Sequence, residues 1–146
     1  MARCAVAGRA TVVGTSLRAI ASVFATAAVR PKILEIGLFN TTAVAVAVAV
    51  VRFTSATNVG TGLTEVCLDD PTRTVIATGF AGHTGDGSGV GSPVRQATLG
   101  ASVGSGVIFT FGGRGFEVDD GTANGFGVIV PTGTGQILDY YYEWDE

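Results

Sequence analysis

The apolar positions of the chain come in short runs, and the most regular of these runs alternates alanine with valine. Residues 41–51 contain no charged side chain, and residues 43–50 read Ala-Val four times. A period of two is the period of a β-strand, in which successive side chains point to opposite faces. The valine face then consists of Val44, Val46, Val48 and Val50, and the alanine face of Ala45, Ala47 and Ala49. We expect the valine face to belong to the main core and the alanine face to admit a neighbouring layer or subunit, which makes this segment the candidate core and oligomer-interface strand.

An α-helix is the alternative for this segment, because alanine is the strongest helix former. Half of the alternating positions are valine, however, which favours strands. The alternation would also spread valine around a helix without producing an apolar stripe. The uncharged segment is shorter than the roughly 20 residues that a membrane-spanning helix needs. We therefore predict a strand, and no membrane partner.

Ten further segments have the content of short strands and are separated by turns rich in glycine, proline and asparagine. They are residues 4–13, 17–26, 32–39, 63–68, 74–80, 95–103, 107–111, 116–118, 125–130 and 137–144. The second of them also fits a helix face, but its β-rich context favours a strand. Many short strands at near-even spacing predict an all-β fold, a jelly-roll or β-sandwich of about eight to ten antiparallel strands.

A length of 146 residues is typical of one domain, so we expect residues 1–146 to form a single sandwich. Residues 1–30 are expected to be part of it, or to serve as an N-terminal arm or interface strand. Residues 40–42 are expected to form either a hairpin or a corner at which the chain changes sheets. The glycine-rich residues 82–93 are expected to form a mobile or extended surface loop.

Composition adds an expectation about assembly. The chain is 47% hydrophobic and only 14% charged, whereas a typical globular domain has about 25% charged residues. So few charges leave a monomer of this size with apolar surface to cover, and large contacts between subunits are the simplest way to cover it. We therefore expect a homo-oligomer.

Charge is unevenly distributed along the chain. Residues 1–52 hold six basic residues and one acid, and residues 53–146 hold three basic residues and eleven acids. Either this is a chance distribution over a solvated surface, or a basic edge meets an acidic edge within one fold or between subunits. The basic residues are scattered and do not cluster with aromatic residues, so we expect no nucleic-acid partner.

Cysteine usage indicates neither a metal centre nor a secreted protein. Cys4 and Cys67 have no metal-binding spacing, so we expect two buried free thiols, with a disulfide only if the fold brings them together. Residues 5–7 are too short an apolar run for a signal peptide, which favours synthesis in a reducing cytoplasm. We expect no cofactor.

The motifs that resemble catalytic signatures lack their required context. Gly100, Ser102 and Gly104 fit the Gly-x-Ser-x-Gly pattern, but that pattern needs a helix after the serine, and a strand-like segment follows here. The single histidine, His83, precedes the serine and lies in the glycine-rich loop, where a surface position is expected. We therefore expect no enzymatic activity.

Four aromatic residues concentrate near the end of the chain. They are Tyr140, Tyr141, Tyr142 and Trp144. Two interpretations are open: an ordinary strand with one ring-bearing face in the core, or a set of surface aromatics that bind a ligand.

Residues 30–47, residues 124–136 and the terminal Glu143 to Glu146 resemble segments of small structural proteins of tailed bacteriophages. The resemblance covers roughly a quarter of the chain. It implies a jelly-roll virion protein, made in the cytoplasm of a bacterial host. In particular it implies a homotrimeric head decoration (cement) protein that binds between major capsid proteins and stabilises the head. The alternatives are a tail- or fibre-associated module that binds a host receptor or glycan through the C-terminal tyrosines, and a jelly-roll enzyme or lectin outside viruses.

Overall fold

The computed structural model describes residues 1–87 and 89–146, and in these residues the chain forms twelve strands and no helix. The described residues accordingly contain no helix long and apolar enough to cross a membrane. The strands are β1 (Arg3–Arg9), β2 (Ala21–Phe24), β3 (Lys32–Asn40), β4 (Val46–Phe53), β5 (Thr61–Gly62), β6 (Val66–Cys67), β7 (Thr78–Ala81), β8 (Arg95–Leu99), β9 (Gly106–Thr110), β10 (Phe116–Glu117), β11 (Gly125–Ile129) and β12 (Leu138–Asp145). The predicted all-β class is confirmed. The count exceeds ten because it includes three strands of only two residues each, β5, β6 and β10, of which β5 lies outside the predicted segments.

The strands form two antiparallel sheets that pack as a sandwich. Sheet 1 has the order β10-β3-β12-β1-β6, with β9 also pairing with β3, and sheet 2 has the order β5-β7-β2-β11-β4-β8. Residues 1–30 do not form an arm. They supply β1, which lies between β12 and β6, and β2, which lies between β11 and β7.

The alanine–valine segment forms β4 and places its valines in the main core, as its period predicts. Val46, Val48 and Val50 are almost fully buried between the sheets. The strand begins two residues later than expected, so Val44 and Ala45 precede it and are exposed. The alanine face points away from the core, and there Ala49 is buried and Ala47 is half-buried.

The late start of β4 follows from the corner at Asn40, where the chain passes from sheet 1 to sheet 2. The Asn40 side chain is buried, and its Nδ2 donates hydrogen bonds to the carbonyl oxygens of Val44 (2.7 Å) and Gly100 (3.0 Å). Its Oδ1 accepts a hydrogen bond from the backbone N–H of Thr42 (3.0 Å). The carbonyl of Val44 therefore accepts its hydrogen bond from the Asn40 side chain and not from a neighbouring strand.

The C-terminal aromatic residues divide between the two faces of β12. Tyr140, Tyr142 and Trp144 point into the main core and are at most 3% exposed, so the expectation that they form a binding surface is wrong. Alternation along the strand leaves only Tyr141 on the outer face. The hydroxyl of the buried Tyr142 donates a hydrogen bond across the sandwich to the carbonyl oxygen of Ala21 (2.8 Å), which satisfies its polar group inside the core.

The uneven charge of the sequence is matched within the fold. Each ion pair of the described residues joins a base from residues 1–52 to an acid from residues 53–146. The pairs are Arg3–Asp145, Arg9–Asp139, Arg18–Asp86, Arg30–Glu117 and Arg30–Asp120. These pairs are substantially exposed, and such pairs contribute about 0–1 kcal/mol each. They favour the interpretation that a basic and an acidic edge meet within one chain.

Candidate functional site

Most of the outer face of sheet 2 forms a second, smaller core. Phe24, Val51 and Phe53 point outward from this sheet and are nevertheless buried, together with Ala49 and Ile129. The Phe24 and Phe53 rings lie 6.1 Å apart between centroids. Side chains from neighbouring connecting segments, including Val59 and Val90, pack against this group. The part of the sheet 2 face that carries these rings is therefore covered by the chain itself, whereas Gln96 and Thr98 of β8 leave a polar edge of the same face exposed.

His83 belongs to this covering layer, which corrects its expected surface position. The side chain is 2% exposed, its ring centroid lies 5.8 Å from that of Phe53, and its Nε2 is 2.8 Å from the hydroxyl oxygen of Ser22. Burial lowers the pKa of His83 to about 4. Ser22 lies 61 positions away in sequence, and no local pattern indicates this pair. Ser88, in the same loop, lies outside the described residues.

The structure does not bring the serine of the hydrolase-like motif together with a histidine. Ser102 is exposed in the turn between β8 and β9, whereas the histidine nitrogen that would activate it is hydrogen-bonded to the buried Ser22. A serine and a histidine in hydrogen-bond contact can form a nucleophilic pair. Ser22 and His83 are both closed to solvent, however, so a substrate cannot reach them.

The outer face of sheet 1 is different, because apolar and aromatic side chains remain accessible on it. We name it the Tyr141 face, and it consists of Ala5, Ala7, Gly37, Phe39, Val66, Ile108 and Tyr141. These residues lie side by side on β1, β3, β6, β9 and β12, since Ala7 pairs with Tyr141, Tyr141 with Gly37, and Gly37 with Ile108. Val66 is 52% exposed and Ile108 is 50% exposed.

Tyr141 forms the centre of this face. Its ring lies over Gly37, where a Cβ atom would overlap it, and is stacked with Phe39 at a centroid distance of 6.4 Å. Its hydroxyl donates a hydrogen bond to the carboxylate of Glu35. The pKa of Tyr141 is raised well above its usual value, mainly by partial burial and to a lesser extent by this hydrogen bond, so the phenol stays neutral. The ring is thereby fixed as a flat, preorganised platform.

A shallow depression of about 380 Å³ adjoins the platform. Its lining is mostly small and apolar, and consists of Ala5, Val6, Ala7, Thr64, Val66, Tyr141 and Glu143. The small side chains of β1 leave this space beside the larger Tyr141 ring. The depression and the platform together form a broad, nearly flat surface, which suits contact with another protein better than enclosure of a small molecule.

Acidic side chains border the Tyr141 face on one side. Glu35 and Glu143 are direct cross-strand partners on β3 and β12, and like charges in that arrangement repel each other. Both also line a second depression, together with Arg3 and Asp145. A partner that brought a basic side chain to this border would relieve the repulsion.

Val44 and Val103 form a second exposed apolar region. They are 51% and 73% exposed, and they lie on two turns that Asn40 ties together through its hydrogen bonds to the carbonyls of Val44 and Gly100. We name this region the loop end. Ala45 also belongs to the loop end, so two residues of the predicted interface strand, Val44 and Ala45, are accessible to a second copy of the chain. The other residues of that strand are buried or half-buried within the chain.

Among the described residues, one group of side chains has the ligand types and spacing that a metal ion needs. It comprises Cys4, Cys67 and Glu146, whose potential ligand atoms lie within 4.8 Å of one another. The sequence did not reveal this group, because the two cysteines are 63 positions apart and become neighbours only through the pairing of β1 with β6.

Comparisons with known proteins identify no family for this chain. No family model, curated protein or solved structure matches it.

Proposed function

We propose that the protein is a virion structural protein, most specifically a head decoration (cement) protein that binds between major capsid proteins as a homotrimer. The single observation that carries the proposal is the accessible Tyr141 face, on a fold whose other outer face has its apolar part already covered. The resemblance of residues 30–47, 124–136 and 143–146 to phage structural proteins supplies the virion context.

A jelly-roll connectivity is part of this proposal. In a jelly roll, the chain is paired as a long antiparallel ribbon and then wrapped into two four-stranded sheets. The order β1-β12-β3-β9 in sheet 1 and the order β2-β11-β4-β8 in sheet 2 fit such a wrapping, with the first strands pairing with the last. The remaining strands extend the edges of the two sheets.

The mechanism we propose is adhesion by burial of the Tyr141 face. Removal of apolar surface from water contributes about 25 cal/mol per Å², and the rigid Tyr141 platform loses little conformational freedom on binding. Repeated copies of a modest contact on a shell act together, because each trimer binds through several sites at once. Contacts that are weak individually would then give a high overall avidity for the capsid lattice.

The chemistry of the face defines the partner surface. It should be flat and apolar opposite Ile108 and Val66, with an arginine or lysine positioned over Glu35 and Glu143. Pairing such a base with the two carboxylates gives specificity as well as attraction, since an acidic partner would be repelled. Contacts between copies in the trimer are assigned to the loop end, where Val44 and Val103 are exposed.

Copy counting by quantitative mass spectrometry of purified particles tests the location. A decoration protein should be present at a copy number comparable to that of the major capsid protein, whereas a handful of copies per particle would assign the chain to the tail and refute the proposal.

Binding of the purified protein to particles that lack it tests the Tyr141 face. We expect Ile108→Lys to abolish co-sedimentation with such particles. Leu17→Lys is the matched control, because Leu17 has a similar exposure of 45% and does not belong to the Tyr141 face. Equal binding by both variants would exclude this face as the docking surface.

A second function is favoured by one observation, the fixed aromatic platform beside a carboxylate. Flat rings that adjoin acidic hydrogen-bond acceptors can stack on and bind a sugar, so a tail or fibre module that recognises a host glycan is the alternative. Binding on a glycan array that is lost in Tyr141→Ala and retained in Ile108→Lys would support it.

A further inference from the structure

Cys4 and Cys67 face each other across the pairing of β1 with β6. The two residues are direct partners in the antiparallel register, and their Sγ atoms are 2.9 Å apart. Both thiols are free, Cys4 being fully buried and Cys67 5% exposed. Two sulfur atoms at this distance need only a small side-chain rotation to reach bonding distance.

The backbone around the pair also suits a covalent link. The N–H of Leu68 donates to the carbonyl of Arg3 (2.7 Å), so the adjacent pair is the hydrogen-bonded one and Cys4–Cys67 is a non-hydrogen-bonded pair. Such pairs have their Cα atoms about 4.5 Å apart, which lies within the range of about 4.4–6.8 Å found in disulfides. We propose that Cys4 and Cys67 are an oxidation site, at which a low-molecular-weight disulfide converts the two thiols into a cross-strand disulfide that staples β6 to the sandwich.

With oxidised glutathione as the oxidant, the reaction balances in two exchange steps. The Cys67 thiol, which is the more exposed, attacks the glutathione disulfide and forms a mixed disulfide, releasing one glutathione. Cys4 then attacks the Cys67 sulfur and releases the second glutathione. The two protein thiols are oxidised, the oxidant is reduced to two thiols, and the two protons lost by the cysteines end on the released glutathiones.

A metal centre is the competing explanation for the same side chains, and the geometry disfavours it. Two thiolates on a tetrahedral zinc ion, each at about 2.3 Å, would be separated by about 3.8 Å, considerably more than the observed spacing. The Glu146 carboxylate is also already engaged, because it accepts hydrogen bonds from the N–H groups of Ile76 (2.9 Å) and Ala77 (3.0 Å). It would have to give up these bonds in order to bind an ion.

The position of the pair determines both the rate and the effect of oxidation. Burial raises the pKa of the Cys4 thiol, and thiols held protonated react slowly, so exchange requires β6 to open. β6 is a two-residue edge strand, and the residues on either side of Cys67, Val66 and Leu68, are each about half exposed. Local opening of such a weakly held edge costs less free energy than global unfolding. Once formed, the disulfide would hold the weakly paired residues 54–77 against β1.

The experiment incubates the full chain with an excess of oxidised over reduced glutathione, then denatures it, alkylates free thiols and measures the intact mass. We expect the oxidised protein to be a monomer that takes up no alkyl group. After reduction with dithiothreitol, the same protein should take up two alkyl groups. We also expect oxidation to raise the midpoint of thermal unfolding by about 10 °C, because it closes a long loop. Cys67→Ser and Cys4→Ser, each with one thiol, and the double variant Cys4→Val/Cys67→Val should show no such shift.

Three outcomes would overturn the proposal. The first is full alkylation of both thiols after prolonged oxidation, and the second is a disulfide-linked dimer on a non-reducing gel. The third is stoichiometric binding of added Zn²⁺ that protects both thiols from alkylation and is lost in Glu146→Gln, which would assign the group to a metal ion.

Discussion

Both outer faces of the sandwich are built with the same packing device, but only one of them is covered. On sheet 2, the rings of Phe24 and Phe53 lie over Gly125 and Gly127, where a Cβ atom would meet them. On sheet 1, the rings of Tyr141 and Phe39 lie over Gly37 and Gly106 in the same way.

The two outer faces differ in what covers their aromatic rings. The sheet 2 rings are buried beneath connecting segments that carry Val59, His83 and Val90, whereas Ile108 and Val66 beside the sheet 1 rings stay half exposed. A flat ring that lies across a strand glycine makes a smooth apolar surface, and a contiguous apolar surface that the chain itself leaves open is a candidate interaction site. The comparison indicates that the rings on sheet 2 contribute to stability, and it supports the proposal that the outer face of sheet 1 is a docking surface.

The largest expected effect comes from truncating matched phenylalanines on the two faces. Phe53→Ala should lower the free energy of unfolding by about 3–5 kcal/mol, because it leaves a cavity beneath the covering segments. Phe39→Ala on the open face should lower it by only about 1 kcal/mol, because solvent can fill the space. Urea denaturation of both variants measures the difference. Equal losses would mean that the sheet 1 face is covered too, and would remove the case for docking there.

Much of the fold could be predicted from the sequence, because strand period and turn residues are local signals. The alternation at Val46, Val48 and Val50 predicted their shared face, and Pro31 and the glycine-rich turns gave approximate strand boundaries. The start of β4 was missed by two residues, because it depends on the corner at Asn40, whose side chain donates hydrogen bonds to the carbonyl of Val44 and to that of Gly100, 60 positions away. Only the tertiary structure supplies that partner.

The candidate site was only partly predictable for the same reason. Alternation along residues 138–145 separates Tyr141 from Tyr140 and Tyr142, but which set faces solvent depends on the sheet that packs behind them. The burial of His83 depends on its contact with Ser22 and Phe53, which are remote in sequence. A glycine-rich loop normally predicts exposure, and here apolar residues on the sheet beneath it override that tendency.

The covering layer on sheet 2 should also be the acid-sensitive part of the molecule. The pKa of His83 is lowered from 6.5 to about 4 by burial, so below pH 6.5 the unfolded chain binds a proton that the folded chain excludes. Stability from this residue is full above about pH 6.5 and is lost as the pH falls towards about 4, by about 3 kcal/mol in all. Urea denaturation at a series of pH values measures the loss.

The variant His83→Gln isolates this contribution from that of the carboxylates. It keeps a hydrogen-bonding group near Ser22 but does not titrate, so its stability should depend less on pH between 6.5 and 4 than that of the wild type. Identical pH profiles for the two proteins would show that His83 is not held neutral in the fold, and that the covering segment is looser than its contacts indicate.

A smaller effect is expected from a methyl group placed beneath the Tyr141 platform. The Cβ of Gly37→Ala would overlap the Tyr141 ring, so the ring must tilt and the free energy of unfolding should fall by about 2 kcal/mol. Gly62→Ala is the matched control, because Gly62 also lies in a strand and an added Cβ there meets open space. Docking should be lost in the first variant and kept in the second, which would show that the ring's orientation matters for binding.

The smallest expected effect comes from Tyr141→Phe, which removes the hydroxyl from the open face and keeps the ring. The hydrogen bond to Glu35 is partly solvated, so its loss should cost only about 1 kcal/mol near neutral pH. That cost should diminish in alkali. The pKa of Tyr141 is raised in the folded chain, so its contribution is complete below about pH 10 and declines as the pH rises further and the unfolded chain ionises.

Urea denaturation of wild type and Tyr141→Phe at about pH 7 and about pH 11 tests both parts of this prediction. The two proteins should differ at the lower pH and converge at the higher one. Tyr140 and Tyr142, whose pKa values are also raised by burial, remain in both proteins and cancel in the comparison. A difference that grew with pH would mean that the Tyr141 phenol ionises in the folded protein, and hence that the platform is not held by its bond to Glu35.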